Sequence, residues 1–152
     1  MRLMRTLSTT VLAAALVVGC SDSIDPGNVS EDDLAGVWTA TQFLLTSTAD
    51  PTVTVDMIAL GGTFTLTINA DGTYSEAGLF PGNPPEVENG SGTYVIQGTN
   101  LILTEADDPV PFALAFVLSG NTLTLSSTDE TFDFDGDGVE EAATLEMVLT
   151  RS

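Results

Sequence analysis

Apolar and polar residues alternate in short runs over most of this chain, and the clearest run is Thr63 to Ile68. There Phe64, Leu66 and Ile68 alternate with Thr63, Thr65 and Thr67, the two-residue period of a half-buried strand with β-branched residues on its wet face. Asn69-Ala70-Asp71-Gly72 then makes a hairpin turn into Thr73-Tyr74-Ser75. Thr93 to Gln97 and Leu101 to Glu105 flank Gly98-Thr99-Asn100 as a second hairpin. Phe112 to Leu118 and Thr122 to Ser126 flank Gly120-Asn121 as a third, with Phe112, Leu114, Phe116 and Leu118 on one face. Val37 to Thr46, Val53 to Leu60 and Thr144 to Thr150 are less regular strands, the last presenting Leu145, Met147 and Leu149 together. Leu79 to Asn89, with Pro81, Pro84 and Pro85, reads as the longest irregular loop. Its Leu79-Phe80 pair either covers a barrel mouth or tucks a strand end into the core.

Strands joined in sequence order by tight turns form an antiparallel up-and-down meander. With eight or nine of them, closure into a barrel removes the unpaired edges, so an all-β barrel of about eight strands over residues 34–152 is expected. Two packed sheets are the alternative. No helical period is sustained beyond the leader, although Asp32 to Leu34 has the length of one turn.

The first twenty residues follow a different pattern. Arg2 and Arg5 precede an apolar run from Val11 to Val18, which ends at Gly19-Cys20. A positive start, a short apolar stretch and a small residue at a cut site make a helical secretory signal peptide over residues 1–19. The run is shorter than the ~20 residues a membrane span needs. Val17-Val18-Gly19-Cys20 resembles the lipobox of bacterial lipoproteins. The resemblance implies cleavage before Cys20, a lipid on its thiol and acylation of the new amino terminus. Residues 20–33 are polar, carry Pro26 and Gly27, and read as a flexible lipidated tether. Ser21 stands where an Asp retains Gram-negative lipoproteins at the inner membrane, which by resemblance implies an outer-membrane anchor.

Composition then narrows the chemistry. The sequence holds 22 acidic residues and three basic ones, with no His. Every acidic residue follows Cys20, whereas Arg2 and Arg5 leave with the leader, so Arg151 is the one basic side chain of the mature protein. Nucleic acid and anionic membrane surfaces are excluded as direct partners. Without imidazole, amine or free thiol, nucleophilic triads, Schiff bases and His-ligated zinc are excluded as well, and a non-catalytic role is expected. Cys20 is the sole cysteine, so no disulfide forms within the chain.

Two motifs carry candidate sites. Gly36-Val37-Trp38 opens the first strand and, with the meander up to Arg151, resembles the lipocalins and the lipocalin-like domains of bacterial lipoproteins. The resemblance implies that Trp38 plugs one end of the barrel and that Arg151, near the end of the last strand, covers it. An eight-stranded barrel is just wide enough either to hold a small apolar ligand or to fill with side chains and act as an envelope structural or protein-interaction module. Large inward residues (Trp38, Phe64, Phe112, Phe116) favour the solid form. The second motif is Asp133-Phe134-Asp135-Gly136-Asp137-Gly138-Val139-Glu140-Glu141. Carboxylates at Asp133, Asp135 and Asp137, then the Val139 carbonyl and Glu141, offer the hard oxygens of a structural Ca²⁺ site. Thr144 stands at the twelfth position and strands flank the loop, which departs from an EF-hand. An acidic turn binding nothing is the alternative.

Overall fold

Nine strands follow one short helix in the computed structural model, which describes residues 29–152 except Asn83. Helix α1 spans Glu31–Leu34. Strands β1 (Gly36–Ser47), β2 (Thr54–Asp56), β3 (Thr63–Ile68) and β4 (Thr73–Phe80) come next, then β5 (Glu86–Gln97) and β6 (Asn100–Glu105). The chain finishes with β7 (Phe112–Ser119), β8 (Thr122–Phe132) and β9 (Glu141–Arg151). Each strand from β3 to β9 pairs antiparallel with its successor, and β9 returns to β1, pairing from Trp38↔Arg151 to Ser47↔Ala143. The result is a closed eight-stranded antiparallel barrel of β1 and β3 to β9.

β2 is the supernumerary strand. The first part of β1 pairs with β3 (Gly36↔Ile68 to Thr39↔Thr65), whereas Leu44 to Thr46 pair with β2. β2 is also all that is strand in the segment from Val53 to Leu60. The Asp56 carboxylate accepts the backbone N–H groups of Ile58 and Ala59, at 3.0 and 3.3 Å, and turns the chain instead. Irregularities in register at Ala40/Gln42 and Ser127/Glu130 bend the long strands around the barrel.

The segment Leu79 to Asn89 is not a long loop. β4 runs through Phe80 and β5 begins at Glu86, with Leu79↔Val87 and Phe80↔Glu86 in register. Phe80 is buried and Leu79 exposed, as alternation on one strand demands. The start of β5 reads as loop because its inward positions, Glu86 and Glu88, face an open mouth and are polar. β8 and β9 likewise extend beyond Ser126 and before Thr144, to Phe132 and from Glu141.

The core fills one end of the barrel. Trp38, Leu34, Leu101, Phe116, Leu123, Leu125 and Leu149 are almost wholly buried. α1 closes this end. Ser30 and Asp33 form a reciprocal capping box, Leu34 is inserted inward, and the Trp38 indole N–H donates to the Leu34 carbonyl at 2.8 Å. Val29 is buried too and the Asp33 carbonyl accepts from Arg151, so the end of the segment expected as tether is held against the barrel. The signal peptide, Cys20 and the remainder of that segment lie outside the described residues.

Candidate functional site

Gly36, Trp38 and Arg151 meet where the first and last strands pair. The Arg151 guanidinium carbon lies 4.5 Å from the Trp38 ring centroid. One guanidinium nitrogen also donates to the Asp33 carbonyl, tying the last strand to α1. Gly36 has φ +153°, and a Cβ there would meet the Arg151 side chain at 3.4 Å. Glycine accommodates this backbone angle, and the Arg151 side chain lies across it at ordinary contact distance. These contacts close the barrel floor at the Trp38 end.

The opposite half of the barrel is hollow. A cavity of about 330 Å³ opens at the end that carries the β4–β5, β6–β7 and β8–β9 connections. Leu103, Leu114 and Leu125 form its inner part, and Phe43 and Phe64 stand on one wall. Phe43 meets Phe64 and Phe80 edge-to-face, with centroids 5.7 and 5.0 Å apart. Phe112, expected among the residues that fill the barrel, is 39% exposed and lines this mouth. The barrel is thus solid at the Trp38 end and open at the other.

Carboxylates line the same cavity. Glu76, Glu88 and Glu105 come from β4, β5 and β6, with Asp129 and Glu130 across the mouth on β8. Burial raises the Glu76 carboxyl from 4.5 to about 7, and the neighbouring charges of Glu88 and Glu105 add to the rise. Glu88, exposed at the rim, is raised as well, by the partial cover of its carboxyl group and then by Glu86, Glu105 and Glu130. Tyr74 is pushed up to about 12 by burial, with Glu76, Glu105 and Asp107 contributing. Sequence reading passed over these carboxylates. The signal for them is phase: Glu76 alternates in step with Tyr74, Gly78 and Phe80, and Glu105 with Leu101 and Leu103.

The loop between β8 and β9 gathers the second set. Asp133, Asp135, Asp137 and Glu141 each place a carboxylate oxygen within 4.8 Å of the others, an arrangement able to hold a metal ion. Asp133 organises the loop, accepting N–H groups from Gly136 at 2.7 Å and Gly138 at 2.9 Å. The Gly138 bond is the main reason its carboxyl is held below the ordinary aspartate value. Val139 donates its N–H to Asp137, and Glu141 accepts from the Phe134 N–H at 2.9 Å. The donor set is all oxygen, on a loop that turns at Gly136 and Gly138 with φ +77° and +85°. Such donors fit a hard cation. Comparison with protein-family models, curated proteins and solved structures finds no match for this chain.

Proposed function

We propose that this chain is a lipid-anchored extracytoplasmic binding protein, non-catalytic, whose lipocalin-like barrel holds a small apolar ligand. The cavity of about 330 Å³ carries the reading: it is of the size that ligand pockets occupy, and leucine and phenylalanine line it beside the carboxylates. The likeness to lipocalins rests on Gly36-Val37-Trp38 and on the closed eight-stranded barrel behind it. Binding is tested by titrating the purified protein with the neutral fluorophore N-phenyl-1-naphthylamine. Saturable one-to-one enhancement, lost in Leu114→Trp with the circular dichroism unchanged, supports the reading. Absent or unsaturable enhancement overturns it and leaves the barrel as an envelope structural or protein-interaction module.

The anchor belongs to the same proposal. A triacylated Cys20 supplies the more than one acyl chain that stable membrane attachment needs. Cys20→Ser should shift the protein out of the membrane fraction or block its processing, and wild-type membrane retention would contradict it. The Asp133 to Glu141 loop is proposed to take one structural Ca²⁺, held by Asp133, Asp135, Asp137, Glu141 and the Val139 carbonyl, which would fix the β8–β9 connection at the mouth.

A further inference from the structure

We propose that the ligand of the barrel cavity is a cationic amphiphile, with its apolar body against Phe43, Phe64 and Leu114 and its ammonium head among Glu76, Glu88 and Glu105. This rests on the reading of the cavity as a binding site and adds the chemical class of what it binds.

The three glutamates face the barrel interior, Glu76 and Glu105 partly buried and Glu88 exposed at the rim. Each occupies an inward position, and each stands opposite a glycine on the neighbouring strand: Glu76↔Gly90, Glu88↔Gly78 and Glu105↔Gly92. Gly90 makes the space that the Glu76 carboxylate occupies, and Gly78 the space for two phenylalanine rings beside it. A Cβ on Gly90 would come within 2.7 Å of a Glu76 carboxylate oxygen, and one on Gly78 would meet the Phe64 and Phe80 rings at 3.3 Å. Tyr74 lies across Gly92 from Glu105, and the two line one recess. Tyr74 is 3% exposed, and its hydroxyl has no hydrogen-bond partner among the described residues. A buried donor near Glu76 and Glu105, in a recess that adjoins the cavity at Glu105, is arranged for a polar group that enters from outside.

Among the described residues no basic group pairs with these carboxylates. Arg151 is the single basic residue of the described chain, and it is engaged by Trp38 and the Asp33 carbonyl at the sealed end. Carboxylates withdrawn from water are costly unless paired, so an entering cation relieves the cavity where a neutral or anionic ligand does not. A bare metal ion fits less well. Among the described residues, the group of carboxylates close enough to share one is the Asp133 to Glu141 loop, not the cavity glutamates. Their wider spacing suits an alkylammonium head, and Phe43 and Phe64 line the space its apolar chain would occupy.

Octylammonium, octanol and octanoate share one chain and differ in head group, and each is titrated into the protein by calorimetry at pH 8. Octylammonium is expected to bind at least about ten-fold tighter than octanol, as hydrogen bonds to charged groups allow, with octanoate weakest. Glu76→Gln/Glu88→Gln/Glu105→Gln should bring octylammonium to within roughly two-fold of octanol while octanol still binds, and Glu105→Gln alone should move part of the way. Glu31→Gln/Asp32→Asn, on α1 at the sealed end, lowers the overall charge comparably and should leave the preference intact. If octanol binds as tightly as octylammonium, the cationic head group is refuted and the apolar-ligand reading stands. If none of the three binds, both are refuted. Equal loss of preference in the α1 variant would refute the glutamate site and attribute the effect to net charge.

Discussion

Replacing Glu76 by Gln should stabilise the protein at pH 8 and change it little at pH 4. An unfolded glutamate loses its proton near 4.5, whereas in the folded barrel Glu76 keeps it until about pH 7. Between these values the folded state binds more protons than the unfolded state, so stability falls as pH rises from 4.5 to 7, and the loss is complete above that. Each pH unit of difference is worth 1.36 kcal/mol, which for the rise from 4.5 to about 7 gives an upper bound of about 3.4 kcal/mol. Water at the half-open mouth screens the charge and brings the expected effect to about 1–2 kcal/mol. Glutamine keeps the length and shape of the side chain over Gly90 and carries no charge. Urea unfolding at pH 4, 6 and 8 reads the difference: the midpoint of the variant should pull ahead of wild type only as pH rises. Glu88, beside Glu76, is shifted the same way, so the variant keeps a shallower slope of the same sign. A gain of equal size at pH 4 and pH 8, or none at pH 8, would show that Glu76 is not held in a poorly hydrated, like-charged wall.

Three other perturbations test the remaining parts of the structure. Millimolar calcium should raise the melting temperature by several degrees over chelator, since an ion at a hundred times its Kd contributes about 2.7 kcal/mol; Asp135→Ala should remove the difference, and equal melts in the wild type would leave only an acidic turn. Arg151→Ala should cost about 1–3 kcal/mol by removing the guanidinium from the Trp38 face and a donor from the Asp33 carbonyl, with a change in tryptophan emission; Arg151→Lys should not restore it, because an ammonium lacks the planar fork. Gly92→Ala should destabilise by about 1–3 kcal/mol, read by urea unfolding, because its Cβ would fall 2.0 Å from the Thr104 carbonyl oxygen and force β5 from β6; wild-type stability would mean that the strands part freely there.

What the sequence determined by itself was the order and character of the strands. The period of two in Thr63–Ile68 and the glycine-bearing turns at Asn69–Gly72, Gly98 and Gly120 are local signals, written in neighbouring residues. An even number of antiparallel strands in sequence order then puts the start of the first beside the end of the last. That is why Trp38 and Arg151, far apart in the chain, could be related before any coordinates. The acidic loop was legible for the same reason, since its carboxylates lie within nine residues. The hollow end was not legible. Whether Phe112 plugs the barrel or edges a cavity depends on how far the other seven strands stand off, and periodicity carries no such distance. The start of β5 was misjudged because Glu86, Val87, Glu88 and Asn89 look like loop when polarity is taken to mean solvent. Tertiary structure decided that Glu76, Glu88 and Glu105 share an interior, because only the registers of β4, β5 and β6 set each of them opposite a glycine and turn all three toward one space.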